Sequence, residues 1–591
     1  MKTKLFQLAL AISAVVLATS VRAQDPRTNS WLTTYSGKYA RIYTTDANKT
    51  NGVTATTWSN GQQTQASPAY SGIQEVYYSA SWVYIRSTGL GSHTMGPWYN
   101  DATRTTAFVN MPVNQKAFYR FPRTPSVPGT KTSTQGELGY MVDGVKLFDS
   151  RDAVSYINSP GQDGSPPGAG TTGDGIWNRD AYVNEAITFD PSLAHQQNTG
   201  VYHYHASPLA LRYLLGDNVN FNSTNKLYTP NTNAPTKHSP IIAWANDGFP
   251  IYGPFGYSSA SNSASGVRRM VSGFVLRNGS NGTTNLSVTG RTTLALWSQR
   301  AQNRTTLTAS QYGPNVSASF PLGRYVEDND YLGDIGQVQG VGFDLDEYNG
   351  RYCVTPEFPG GTYAYFNVIS ASGAPAYPYN IGGKYFGSPT AGTVTTLAES
   401  VTTNFVGGPN LRETMNTPSR SGSTVVLTWS AVEGGTYRVE SSTNLTTWTT
   451  NATGIAAVLN TGSNTNTSTE NMKFFRVNRT AIANYDGAPS GGGGGIFPVP
   501  GGSVSRGSGT NITLSITLSG PPSPPANAPI TSVTMGSLTA TSTSYTVQGT
   551  VLANFSILAN TPTGTNTVTV TFQTGPPPYV FSGANGFIIN P

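Results

Sequence analysis

The sequence predicts a mainly β protein, with a large β-rich N-terminal domain carrying a few short helices and two small β-sandwich modules behind it. Three observations lead there. Charged residues are 11% of the chain against about 25% in ordinary soluble domains, so its surface is built from hydroxyls and amides, as in extracellular β modules. Short runs of period-two alternation recur between Gly, Asn and Ser turns, the pattern of half-buried strands. Finally, Tyr, Trp, Phe and all five histidines concentrate before about residue 390, and the remainder is rich in Thr and Ser.

In chain order, residues 1–23 place Lys2 and Lys4 before an apolar run from Leu5 to Leu17 and end in Val21-Arg22-Ala23. This reads as a signal peptide cleaved after Ala23, which predicts export and a secreted or cell-surface location. No later stretch reaches the ~18 consecutive apolar residues of a membrane-spanning helix. Without Lys2, Lys4 and Arg22 the formal charge falls from +6 to +3, and no Lys/Arg cluster forms the basic stripe that nucleic acid requires. The single cysteine, Cys353, excludes an internal disulfide and reads as a small buried apolar residue in RYCVTPEF rather than a catalytic thiol.

The N-terminal domain is expected over 27–390. Within it, residues 73–90 predict a strand pair joined by a Ser-Ala-Ser turn, and 176–189 an amphipathic helix with Tyr182, Val183 and Ile187 on one face. A connector at 391–420 follows, then a small β-sandwich at 421–482 with Leu427, Trp429, Tyr437, Val439 and Trp448 as its core. A Gly/Pro linker at 483–502 leads to an immunoglobulin-like sandwich at 503–591.

The stretch GVYHYHASPLALRYLL (200–215) holds two of the five histidines. Tyr and Val favour a strand, in which His203 and His205 share one face and Tyr202 and Tyr204 the other. Ser207 is placed to cap a following helix, Pro208 to begin it and Gly216 to end it. Two same-face imidazoles bind one zinc or copper ion at about 2.0–2.1 Å once a third ligand arrives from elsewhere. His195 is joined to the pair by a tight Gln-Gln-Asn-Thr-Gly turn and can sit across a hairpin. His238 and His93 lie in Gly/Pro-framed loops, the usual place of site residues, and are the leading third ligands. The bland alternative is hydrogen-bonded packing among aromatics. The positive end of the following helix favours an anion there, and it also keeps an imidazole neutral for a metal, so it does not decide.

GVYHYH, HSPIIAWANDGFPIYGPFGY (238–257), GLGSHTMGPW (89–98), LGYMVDGVKLF (138–148), YVEDNDYLGDIG (325–336) and FDLDEYNGRYCVTPEFPGGTYAYF (343–366) resemble the YHYH-domain family of secreted bacterial proteins. The resemblance covers roughly 27–390 and implies export and a shared domain, without implying a particular reaction. It places His203, His205, His238, Asp247 and Tyr252 on the family signature and His93 on an upstream motif. The chain departs from the family pattern at GQVQGVG (336–342), a longer connection between Glu327 and Asp344. The two trailing modules resemble fibronectin-type and immunoglobulin-like domains.

Asp344, Asp346 and Glu347, near Glu327, Asp328, Asp330 and Asp334, offer carboxylates for a calcium ion, but without EF-hand spacing; a solvated acidic turn is the competing reading. Asp247, in NDGFPIYG, is a candidate to orient a ligand imidazole near His238 or to act as base for metal-bound water, or else a residue that bonds its own turn. There is no G-x-S-x-G elbow, P-loop or dinucleotide fingerprint. The leading expectation is a histidine-based zinc or copper site; for an enzyme the simplest chemistry there is metal-assisted hydrolysis, with copper redox chemistry as the alternative. The rival is a non-catalytic adhesion or glycan-binding protein whose extracellular partner is a polysaccharide and whose histidines are structural.

Overall fold

The computed structural model describes residues 25–60, 62–166, 171–470, 472–487 and, beyond them, strand segments and short stretches between 495 and 590. The expected signal peptide lies outside the described residues. Among the described residues the chain is mainly β with a few short helices, and no helix is long and apolar enough to cross a membrane.

Beside several smaller sheets, two large ones dominate the N-terminal domain. One is antiparallel and five-stranded, built from β1 (Ile73–Tyr78), β2 (Trp82–Ser87), β3 (Ala117–Pro122) and two strands from far along the chain. The other is mixed and eight-stranded. Its members are β4 (Glu137–Met141), β5 (Lys146–Phe148), β6 (Ala194–Gln196), β7 (Tyr202–Tyr204), β8 (Ile241–Ala245), β9 (Pro250–Tyr252), β10 (Gly350–Cys353) and β11 (Thr362–Phe366), in the order β6-β7-β5-β4-β8-β9-β11-β10. The sheets pack through aromatic rings, with Tyr119 of β3 4.6 Å from Tyr140 of β4 between centroids. Ile73, Val76, Val83 and Ile85 share one core with Leu147, Tyr202, Ile251 and Tyr365. Gly139 allows β4 and β8 to approach, because a Cβ there would stand 2.1 Å from the Trp244 carbonyl oxygen.

The strand pair at 73–90 forms as expected from its alternation. The segment 176–189 differs: Asn178–Asp180 is a strand, and helix α1 spans only Ala181–Glu185 before a 3₁₀ turn, Ala186–Thr188. Asp180 accepts the Val183 N–H at 3.0 Å, which starts the helix late, and Val183 and Ile187 face solvent rather than a core. Helix α2 spans Leu209–Leu214. Ser207 does not cap it; its hydroxyl accepts from buried Arg212 at 3.0 Å instead, while Gly216 follows at a positive φ of 69°.

The expected connector 391–420 is partly woven into the domain. Gly392–Thr393 (β12) pairs with β3, and Thr402–Val406 (β13) pairs with β1. Residues 419–482 form two three-stranded sheets around Val425, Leu427, Trp429, Tyr437 and Val439. Trp448, expected in that core, lies outside it with the Arg476 guanidinium 4.3 Å over its ring. This unit docks on the N-terminal domain where Tyr70 donates to the Glu433 carbonyl at 2.9 Å and Arg41 pairs with the Glu433 carboxylate. Further on, the linker expected at 483–502 contributes the strand Gly495–Pro498, paired with Asn511–Ser519; its residues 488–494 and 499–502 lie outside the described residues. The strands from Gly495 onward form a four-stranded and a five-stranded sheet.

Candidate metal centre

The hairpin joining β6 to β7 creates the site. Its antiparallel register sets His195 opposite His203, and Gly200, at φ 76°, closes the turn in a space with no room for a Cβ, which would meet a Val113 methyl at 2.6 Å. His205, two residues beyond His203, turns to the same side. The three imidazoles are buried, and one ligating nitrogen from each falls within 4.8 Å of the others. The Nε2 atoms of His195 and His203 are 3.1 Å apart, as are those of His203 and His205.

Each Nδ1 is committed elsewhere. That of His203 meets the Val201 carbonyl at 2.9 Å and that of His205 the Asp149 carbonyl at 2.6 Å. A carbonyl only accepts, so both Nδ1 atoms carry the proton. His195 Nδ1 meets the Thr188 hydroxyl at 2.7 Å, and that hydroxyl donates to the Glu185 carbonyl at 2.7 Å, so it too accepts from the ring. In the neutral form each ring therefore carries its lone pair on Nε2, and the three Nε2 atoms face one another. Such pairs repel at 3.1 Å, and a cation between them reverses the sign.

Glu185, the last residue of α1, brings a carboxylate Oε2 to 3.4 Å from His195 Nε2 and 3.3 Å from His205 Nε2. Burial lowers the pKa of His203 well below the usual value, and the neighbouring histidines lower it further. Burial also lowers that of His195, against the pull of Glu185. For His205 the burial effect is outweighed by Glu185, and its pKa rises. Glu185 itself is held low by His195 and His205 despite burial. The Glu185 carboxylate thus favours positive charge at His205, while burial disfavours it at His203 and His195.

Aromatic rings fix the imidazoles: Phe148 stacks on His203 at 4.1 Å, Phe108 on His195 at 6.0 Å, and Phe189 meets His195 edge-on at 4.8 Å. The centre sits on the wall of a cavity of about 1110 Å³ that is also lined by Asp152, Arg179, Asn178 and Asn184.

The other sequence candidates stand apart. His93 lies on the Tyr202 side of β7, where its Nε2 is 3.0 Å from the Ser192 hydroxyl and 3.1 Å from the Tyr202 hydroxyl; burial lowers its pKa to about 4. His238 lines a separate cavity of about 620 Å³ with Tyr257 and Glu357, and its Nδ1 donates to the Ser239 carbonyl at 2.7 Å. Neither belongs to the histidine cluster: His93 packs against Tyr202, which strand alternation sends to the opposite face of β7, and His238 lines a different cavity. Asp247 is fully buried away from the cluster, accepting from Tyr365 at 2.6 Å, Gly387 N at 2.9 Å and Phe249 N at 3.1 Å. It bonds its own turn and clamps β11. Tyr252 donates its hydroxyl proton to Glu357 and accepts from the Thr355 hydroxyl, both at 2.8 Å.

The acidic candidates hold protein cations and donors. Asp344 takes both arms of Arg268 at 2.6 Å, Asp346 accepts from Tyr363 at 2.9 Å, and Glu347 shares Arg300 with Asp334. Cys353 is buried in β10, and burial raises its thiol pKa. Sequence reasoning missed Glu185, Thr188 and the Asp149 carbonyl. The only local signal for Glu185 is the Asp180 cap that starts its helix.

Behind β7, Tyr202 donates to Asp190 Oδ2 at 2.7 Å, and Gly96 N donates to the same oxygen at 2.9 Å. Losing a hydrogen bond to a buried charge costs about 2 kcal/mol. Tyr202→Phe is expected to lower unfolding free energy by that amount in urea titrations, while leaving the imidazole face intact.

A family model described as "YHYH protein" matches residues 118–377, which include Glu185 and the three clustered histidines but not His93. No curated protein matches the chain. Among solved structures, similarities include a marsupial T cell receptor, at 12% identity over 31% of this chain and 73% of that one with a TM-score of 0.12. The titin Ig tandem domains A164-A165 are 8% identical over 29% of this chain and 90% of that one, with a TM-score of 0.11. At such scores these likenesses carry no argument about fold or function.

Proposed function

We propose that His195, His203 and His205 bind one transition-metal ion, zinc or copper, and that the ion serves metal-assisted hydrolysis of an extracellular substrate admitted by the adjoining cavity. The observation that carries this is the tautomer set: every Nδ1–H is spent on a neighbouring oxygen, leaving three Nε2 lone pairs convergent. Imidazole nitrogens suit zinc and copper, and an ion held by three of them lowers the pKa of a bound water toward neutrality.

The cavity, about 1110 Å³, stands at the top of the usual range of about 300–1,000 Å³ for small-molecule sites, with room for a short segment of a polymer such as a polysaccharide. With Asp247 distant, the base role passes to Asp152 on the cavity wall. Burial raises its pKa to about 6 against the opposing pull of Arg179, which donates to it at 2.7 Å.

Elemental analysis of protein purified without added metal tests the site. Near-stoichiometric zinc or copper, lost in a folded His203→Ala/His205→Ala variant, is the expected result; folded protein free of both metals sinks the reading. Thr188→Val removes the acceptor that sets the His195 tautomer. Loss of such a supporting bond lowers metal affinity about 10–100-fold, measurable by competition with a chromophoric chelator. Export, read from residues 1–23, predicts that N-terminal sequencing of the mature protein begins at Gln24.

A further inference from the structure

We propose that Glu185 is a fourth donor to this ion and the exchangeable one, whose departure opens the ion to the cavity; the proposal rests on the metal reading above. Two donors at about 2.0–2.1 Å from one ion stand about 2.9 Å apart at a right angle and about 3.4 Å apart at the tetrahedral angle. The Glu185 oxygen lies 3.4 and 3.3 Å from the His195 and His205 nitrogens, and His203 Nε2 lies 3.1 Å from each. Each neighbouring pair around this ring is thus spaced as two ligands of a common ion are; Glu185 stands outside the 4.8 Å group that the three nitrogens form, so its carboxylate swings inward to reach the ion.

The carboxylate oxygen is buried and has no hydrogen-bond donor of its own. A buried carboxylate oxygen left in that state is costly unless a cation faces it.

What separates Glu185 from the histidines is its support. Each imidazole is held from behind by a hydrogen bond and from the side by aromatic rings, the arrangement that fixes a ligand. The Glu185 Oε2 has no such partner, and its side chain turns about three single bonds. It is also the most exposed donor, at 25% against 8% for His195 and 4% for His205, and it lines the cavity. Exchange needs no redox partner. The bond from ion to Glu185 oxygen breaks, and a bond from the ion to the oxygen of water or of a cavity ligand forms in its place.

Cobalt(II) reconstitution of the full-length protein, followed by azide titration read in the visible d–d bands, tests this in wild type, Glu185→Gln and Glu185→Ala. Both variants are expected to keep about one cobalt, show altered bands, and bind azide at least about tenfold more tightly than wild type, because the position is already open. Unchanged bands and azide affinity in both variants overturn Glu185 as a donor. Folded variants that retain no cobalt overturn its being exchangeable. A wild-type protein that takes up no cobalt overturns the metal reading itself, and this one with it.

Discussion

Treating the purified protein with a strong chelator is expected to lower its thermal midpoint by several degrees, and one equivalent of zinc to restore it. The same treatment is expected to leave His203→Ala/His205→Ala unmoved. An ion that binds only the folded chain stabilises it by RT ln(1 + [L]/Kd), about 4 kcal/mol at a thousandfold excess over Kd. The full term applies because the unfolded chain has no such site: the register that sets His195 opposite His203 exists only in the β6–β7 hairpin. In the folded state the ligands are already oriented by Val201, Asp149 and Thr188, so little of the binding free energy goes into arranging them. Removing the ion leaves the Nε2 lone pairs 3.1 Å apart, and a proton shared with Glu185 is the remaining source of positive charge. The double variant removes two of the three nitrogens and with them both the affinity and the repulsion. A wild-type midpoint that ignores the chelator, in protein shown to carry no metal, contradicts the metal reading.

How much of this was legible in the sequence follows the range of the interactions. The β1–β2 pair is local, and its alternation and turn residues suffice to predict it. The shared face of His203 and His205 follows from the two-residue strand period, and the short Gln-Gln-Asn-Thr-Gly turn makes His195 a hairpin partner on sight. Choosing His93 or His238 over it gave weight to Gly/Pro framing, which marks loops but says nothing about the sheet face or cavity a loop serves. Glu185 reaches the site because the strand Asn178–Asp180 pairs with Arg151–Ile157 and turns directly into α1, a placement made by residues about 25 positions upstream. The Asp149 contribution is a backbone carbonyl, which leaves no trace in residue identity. Strands β12 and β13 were read as connector because edge strands exposed to water share the Thr/Ser composition of loops. The alternating strands of 421–482 predict Trp448 in their core, yet its ring lies outside that core beneath the Arg476 guanidinium.

Arg291→Ala is expected to cost 3–5 kcal/mol of unfolding free energy, the penalty typical of breaking a buried ion pair, and to loosen the cavity wall as it does so. The side chains of Arg291 and Asp328 are both 0% exposed. Arg291 donates from Nε and Nη2 to the two Asp328 oxygens at 2.7 and 2.8 Å, and to the carbonyls of Pro314 at 2.7 Å and Pro321 at 2.9 Å. Truncation strands the Asp328 charge with only backbone donors, among them Gly323 N at 2.8 Å. Arg291→Lys keeps the charge but not the planar fork, so it is expected to recover only part of the loss. Replacing both partners by apolar residues, as in Arg291→Met/Asp328→Leu, is expected to recover more than either single change, because no buried charge remains unpaired. The consequence for the site runs through the adjacent residue. Glu327 accepts from Asn178 N at 2.7 Å and from its side-chain amide at 2.8 Å, and Asn178 opens the strand that leads into α1 and Glu185. If Arg291 anchors that wall, urea titration shows the stability loss, and hydrogen exchange of the Asn178–Glu185 amides accelerates in Arg291→Ala under native conditions. A loss below about 1 kcal/mol, in the range of an exposed pair, would show that the pair is not the anchor its geometry describes.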